Sequence, residues 1–241
     1  MRTVIIHGKR VSVLSPRHGR PECELWGVTR ANPKFWSGAL KDWTRWFDMH
    51  PLVAAGQFPG IADRRPEAWH WYQKQDATRP IYLQAPRAHP VHAQEQAARR
   101  FAEIPGAVEF PLDQVLAAFP ILDDGDGWYI CMVGMMMAYA LVEGFEHIIL
   151  NGIGTNPRID FQHLHRDTLY WIGLARGRGV RVTIEGPSTY HTPAQVYAYE
   201  VLHYEELARA RREMTGPTMA DMDEAITRDL KRGRPVRKFY A

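Results

Sequence analysis

The chain has 241 residues, 45% hydrophobic and 24% charged, which suffices for one good core without any need to split into several domains. A formal net charge of +3 and a pI near 8.9 exclude nucleic-acid binding by overall charge, so any such contact must come from local clustering. Two cysteines far apart in sequence, Cys23 and Cys131, show no metal-ligand spacing, and residues 1–10 (MRTVIIHGKR) lack the apolar run and cleavage site of a signal peptide. A reducing, cytoplasmic setting is therefore expected.

In chain order, residues 3–6 and 10–14 read as two short strands separated by His7-Gly8-Lys9, and the second is the candidate for the first central strand. The segment Ser15-Pro16-Arg17-His18-Gly19-Arg20-Pro21 follows, and leaving a buried strand it would suit an anion through backbone donors and guanidinium forks. It is not a GxGxxG sequence, and a solvated turn is the competing reading. Next come residues 24–28 (ELWGV), then Thr29, Arg30 and Asn32, and then the aromatic segment 43–50 (WTRWFDMH), which meets its loop at His50. Residues 66–75 predict a helix with Pro66 in its first turn. Residues 80–84 predict a strand, 93–101 an exposed helix, 108–111 a strand and 112–119 a short helix or turn.

Between Trp128 and Val142 no residue is charged, so a helix there is apolar nearly all round and belongs inside the protein, though it is too short to cross a bilayer. Glu143-Gly144 ends it, and residues 147–150 resume as a strand running into Asn151-Gly152. Residues 163–178 predict an amphipathic helix with a basic end, 180–184 the last clear strand, and 192–214 a long helix with Pro193 at its first position. Strand and helix alternate, so the expected fold is α/β: a single Rossmann-like domain over residues 1–214, its mostly parallel sheet covered by helices on both faces. The C-terminal helix closes this domain, and a basic tail occupies 215–241. In such a sheet ligands gather at the carboxyl ends of the strands. Ser15 to Arg20, Thr29 to Asn32, His50, Gln84, Asn151 to Asn156 and Glu185 to His191 are all expected on that edge.

A resemblance enters on particular stretches. Trp26-Gly27-Val28 followed by residues 45–50 (RWFDMH), then 143–152 (EGFEHIILNG), 170–179 (YWIGLARGRG) and 197–200 (YAYE) are similar to a family of small phage-encoded Rossmann-like proteins. The order of central helix, EG turn, strand and glycine also resembles, more distantly, the bacterial CMP-sialic-acid sialyltransferases and the hydroxymethylpterin pyrophosphokinase-like proteins. The distant resemblance implies a nucleotide or nucleotide-sugar held by the loop after the first strand and by the amino end of the central helix. It implies donor-binding roles for Ser15, Arg17, His18, Gly19, Arg20, Thr29, Gly127, Tyr129, Asn151, Gly152 and Thr155. The chain departs from the pattern at Ser15-Pro16-Arg17-His18-Gly19, Thr29, Gly127-Trp128-Tyr129 and Gly154, which leaves room for a non-catalytic member.

Two histidines are candidate bases for taking a proton from an acceptor hydroxyl: His50 after an aromatic strand, and His191 in the loop after the last strand. The sialyltransferase resemblance favours His191, because a histidine of this late region is the base there. Either histidine also reads as an ordinary hydrogen-bonded loop residue. His163 and His165 stand two apart, the wrong spacing for a metal pair on a helix, and no metal ligand is assigned. Asp124 and Asp126 form a DxD, which would hold magnesium or manganese, but a solvated turn with Asp126 as helix cap explains them too. Met132, Met135, Met136 and Met137 read as core, as do most of Trp36, Trp43, Trp46, Trp69 and Trp71, with one or two available to stack on a base or sugar.

Residues 228–241 (RDLKRGRPVRKFYA) carry six basic residues against one acid, and the RGRP centre resembles an AT-hook whose arginines enter the minor groove. Lys231, Arg232, Arg234, Arg237 and Lys238 are thus candidate DNA contacts, with a plain basic tail as the alternative. The leading expectation is a nucleotide-sugar-dependent glycosyltransferase-like protein acting on a hydroxylated base of phage DNA or another hydroxyl. The alternatives are metal-dependent nucleotidyl or pyrophosphoryl transfer, and a DNA-binding phage accessory protein without chemistry.

Overall fold

A computed structural model of the chain describes residues 1–8, 15–28, 42–54, 59–120, 131–154, 162–186, 188 and 190, the side chains at 162–164 excepted. All of them belong to the first of two compact units, Met1–Tyr190; the second, His191–Ala241, lies outside the described residues, and with it the expected helix from residue 192 and the basic tail.

Among the described residues seven strands form one sheet: β1 (Thr3–His7), β2 (Cys23–Val28), β3 (Arg45–Asp48), β4 (Ile81–Leu83), β5 (Ala107–Glu109), β6 (His147–Asn151) and β7 (Arg181–Glu185). Their order is β5-β4-β3-β2-β1-β6-β7 and every neighbouring pair is parallel. The helices are α1 (Ile61–Arg64), α2 (Pro66–Gln73), α3 (Val91–Ala102), α4 (Leu112–Ala118), α5 (Met132–Val142) and α6 (Gln162–Gly177). A parallel sheet needs both faces covered, and alternate side chains of each strand go to opposite layers. Val4, Ile6, Trp26, Phe47, Ile148 and Leu150 pack with Val115 of α4, Met136 and Met137 of α5 and Trp171 of α6. Ile5, Leu25, Trp46, Ile81, Leu83 and Ile149 pack with Ile61 of α1, Trp69 and Tyr72 of α2 and Ala97 of α3. The expected α/β architecture with helices on both faces is what the chain adopts.

The central strand is β1, Thr3–His7, paired on one side with β2 and on the other with β6. This corrects the expectation that residues 10–14 form the first central strand. His7, expected in a turn, is the last residue of β1, and residues 9–14 lie outside the described residues. The central helix begins at Met132, not Trp128. Cys131 is its N-cap, accepting from the Gly134 amide at 3.3 Å, and residues 121–130 are not described. Its end is as expected: Glu143 caps it and Gly144 takes φ +74°, a conformation cheap only for glycine.

At the amino edge of the sheet a clamp of charges closes the fold. Arg45 reaches Glu24 at 2.7 Å and Glu143 at 3.1 Å, and Arg2 reaches the same two carboxylates at 2.9 and 3.2 Å. Burial pushes the Glu143 carboxyl up, but the hydrogen bond and charge of Arg45, with Arg2, outweigh this and hold it below the usual range. Met136 and Met137 are fully buried, and Trp43, Trp46 and Trp69 are core, as the sequence leads one to expect; Trp36 lies outside the described residues. Among the described residues no helix is long and apolar enough to cross a membrane.

Candidate functional site

The strand order reverses between β1 and β6: from β1 the chain builds outward through β2 to β5, then returns to lay β6 on the other side of β1. In doubly wound sheets ligands bind at the carboxyl ends beside such a switch point. Here Gly8 and Gly152 meet at the carboxyl ends of β1 and β6. The Gly8 amide donates to the Asn151 carbonyl at 2.8 Å, and a Cβ on Gly8 would stand 2.4 Å from the Gly152 oxygen, so only glycine fits. Gly152 turns the chain with φ +63°. On β7 the neighbouring Glu185 accepts from the Asn151 side-chain amide at 3.4 Å, and Gly186 turns with φ +71°. Ser188 folds the chain back here by donating its hydroxyl to the Ile153 carbonyl at 2.6 Å, and the Tyr190 ring stacks on His165 at 4.7 Å.

His7 ends β1 in register with Gly27 and Asn151 and is 1% exposed. Neither ring nitrogen makes a hydrogen bond of full geometry. Burial and the nearby His18 ring, 6.0 Å away, push its pKa down to about 4, while the poorly aligned Asn151 side chain favours the charged form only weakly. His7 is therefore neutral at physiological pH.

A second polar group stands on the same edge at the end of β3, two strands away from β1. Asp48, the last residue of β3, is fully buried. Its Oδ1 lies 2.5 Å from His50 Nδ1 and accepts the His50 amide at 3.1 Å, while its Oδ2 accepts the Tyr72 hydroxyl at 2.8 Å. Tyr72, on α2, in turn receives the Trp46 indole N–H at 3.3 Å. The His50 side chain stays 22% exposed. Farther along, Gln84 after β4 has a buried Oε1 without a hydrogen-bond partner, and His89 accepts the Leu52 amide at Nε2, 3.0 Å, which leaves the proton on Nδ1.

The expected site residues divide. Asn151, Gly152, His50 and Gln84 stand on the carboxyl edge as expected. The segment Ser15–Arg20 does not. It makes successive turns, His18 amide to Ser15 carbonyl at 2.9 Å and Cys23 amide to Arg20 carbonyl at 3.0 Å, that lead into the amino end of β2. The charge of Arg17 acts on Cys23 and His147, the first residues of β2 and β6, and Arg20 faces Glu22 at 4.0 Å. Arg17 and Arg20 thus lie toward the opposite edge. The cause is the shifted central strand, which makes this segment the lead-in to β2 rather than the first residues after β1. His18 alone turns back toward His7, with Asp42 at 3.8 Å from its Nε2. Thr29, Gly127, Tyr129, Thr155, His191, the Asp124 and Asp126 pair, and Lys231, Arg232, Arg234, Arg237 and Lys238 lie outside the described residues.

The amino end of the central helix is already engaged. Asp167 of α6, fully buried, accepts the Cys131 amide at 2.9 Å, and Gly134 lacks a side chain because a Cβ there would meet Asp167 Oδ2 at 2.4 Å. Burial, with Asp167 beside it, pushes the Cys131 thiol up to about 12, so this cysteine is an inert cap. Sequence reasoning misses Gly8, His7, Asp48 and Tyr72. Only Asp48 carries a local signal: Asp-x-His at a strand end puts both side chains on one side of the strand.

The fold is that of a doubly wound α/β protein, a class in which ligands bind at the carboxyl ends of the strands. No protein-family model matches the chain, and no curated protein matches it. Among solved structures the chain is similar to the sialyltransferase CstII from Campylobacter jejuni. In complex with cytidine-5'-monophosphate that enzyme aligns with a TM-score of 0.46 at 16% identity, over 78% of this chain and 81% of that one. With the analogue CMP-3FNeuAc the values are 0.46 and 14%, over 78% and 82%. With a trisaccharide acceptor and CMP they are 0.46 and 14%, over 77% and 81%.

Proposed function

We propose that this protein is a nucleotide-sugar-dependent, glycosyltransferase-like transferase whose donor lies in the crevice between β1 and β6. The observation that carries this reading is the switch point of an all-parallel sheet, where Gly8 and Gly152 pack against each other beside Asn151 and Glu185. The sequence resemblance to CMP-sialic-acid sialyltransferases supplies the donor class. Asn151 would meet the nucleotide directly, and Arg17 and Arg20, placed toward the other edge, are withdrawn from the phosphate site together with Ser15 and Gly19 of the same segment. His18, Thr29, Gly127, Tyr129 and Thr155 remain donor contacts under this proposal. His50 or His191 would take the acceptor proton.

The acceptor under this reading is a hydroxyl, and the basic RGRP segment of residues 215–241 supports a hydroxylated base of phage DNA, brought in by Lys231, Arg232, Arg234, Arg237 and Lys238. A thermal-shift series with CMP, UDP and GDP, followed by turnover of the matching nucleotide sugars, tests the proposal. Stabilisation by one nucleotide, lost in Gly8→Val, is the expected result. Absence of any nucleotide-dependent shift or turnover across the panel overturns it.

A further inference from the structure

We infer that His50 Nε2 receives the acceptor proton and that Asp48 and Tyr72 are positioning residues that lock the ring for this task. This rests on the transferase reading for the identity of the reaction, but the lock itself is a matter of geometry.

Asp48 is taken wholly out of water, which is costly for a carboxyl group unless its lone pairs are filled. They are filled by donors of two kinds. The Tyr72 hydroxyl and the His50 amide donate to it, at 2.8 and 3.1 Å. With Asp48 as a carboxylate, which can only accept, the contact with the imidazole takes its hydrogen from Nδ1. One tautomer follows: Nδ1 holds a hydrogen and Nε2 a bare lone pair. Tyr72 cannot swing away, because its oxygen is tied to the Trp46 indole and its ring is fully buried against Trp69 and Trp71. The chain Trp46, Tyr72, Asp48, His50 therefore runs from the core to the surface, and only its last member keeps exposure, at 22%.

The place is right for chemistry. β3 is two strands from β1 and three from β6, so His50 stands roughly 10–15 Å along the rim from the switch point, at about 4.8 Å per strand. A nucleotide bound there with its sugar toward β3 would bring the reacting carbon to His50. The step then balances: the acceptor O–H proton passes to His50 Nε2, the acceptor oxygen forms its bond to the anomeric carbon, and the bond from that carbon to the phosphate oxygen breaks with its electron pair leaving on the nucleotide. The imidazolium formed on His50 is held by the Asp48 charge, as buried carboxylates do for catalytic histidines.

Two measurements on the full chain test this. Ring nitrogen–hydrogen correlation spectra of His50, assigned by comparison with His50→Gln, report the tautomer without any substrate. Nδ1–H with bare Nε2 at neutral pH, changing to a mixture in Asp48→Asn, is expected; Nε2–H in the native chain overturns the lock. Turnover of CMP-, UDP- and GDP-sugars reports the role. Asp48→Asn is expected to lower kcat on the order of a hundred-fold with the donor KM little changed, and Tyr72→Phe, which keeps the ring and the packing, on the order of ten-fold. Unchanged kcat in His50→Gln overturns the base assignment, and so does a wild-type chain that turns over no donor, which also ends the transferase reading. In that last case the ring spectra still decide the lock separately.

Discussion

Lowering the pH perturbs His7 in a way that its surroundings make calculable. In the folded chain its pKa is about 4, against 6.5 for the free group, because burial and the His18 ring disfavour the charged form. The unfolded chain therefore binds a proton near pH 6.5 that the folded chain refuses until about pH 4. The sign follows: this group leaves stability intact above pH 6.5, and stability falls as the pH drops from there toward 4, below which the loss levels off. Each tenfold difference in proton affinity between the two states is worth about 1.4 kcal/mol, so the unfolded state gains about 2 kcal/mol at pH 5 and about 3 kcal/mol in full. Urea unfolding of the native chain and of His7→Leu at a series of pH values from about 7.5 to about 4.5 isolates the effect, since all other histidines are common to both. The native midpoint is expected to fall relative to the variant as the pH decreases. Parallel curves would refute a buried, neutral His7 in the folded state.

Other outcomes follow from single contacts. Gly27→Ala puts a Cβ 2.1 Å from the Trp46 indole, which is itself fully buried, so a loss of about 2 kcal/mol or more in chemical denaturation is expected. Arg45→Met leaves Arg2 as the arginine that still pairs with Glu24 and Glu143 and should cost about 2 kcal/mol at pH 7. Because the Glu143 carboxyl is held below its ordinary range, that difference is expected to shrink as the pH falls below the unfolded carboxylate value of about 4.3. Iodoacetamide at pH 8 should leave Cys131 unmodified in the folded chain and alkylate it once urea unfolds the protein, as read by mass spectrometry.

What the sequence discloses and what it hides have physical causes. The uncharged run ending at Val142, the Glu143-Gly144 stop and the β-branched residues 148–149 overdetermine a buried helix followed by a buried strand, and α5 and β6 end and begin there. At the start of the chain the pattern is ambiguous: residues 3–6 (TVII) and 11–14 (VSVL) are equally good short strands, and periodicity cannot rank them. Taking the second as central moves Ser15–Arg20 to the wrong edge of the sheet. His50 is visible because it follows an aromatic strand. Asp48 shows in sequence only as the acid of an Asp-x-His pair; its burial is explained by Tyr72, 24 residues later, whose hydroxyl reaches it through tertiary packing. Asp167 is similar: its role is set by a helix end that precedes it by 36 residues.

The middle position of β1 has a consequence for synthesis. The ribosome makes this strand well before β6, and β2 can join it almost at once, yet its other flank pairs with residues 147–151, which emerge far later. Until then a wholly apolar ribbon, Val4 to Ile6, offers an open row of amides and carbonyls to any neighbouring chain. Fragments cut short of β6 should accordingly clump rather than fold, and helper proteins that shield nascent strands should raise the yield of the complete molecule.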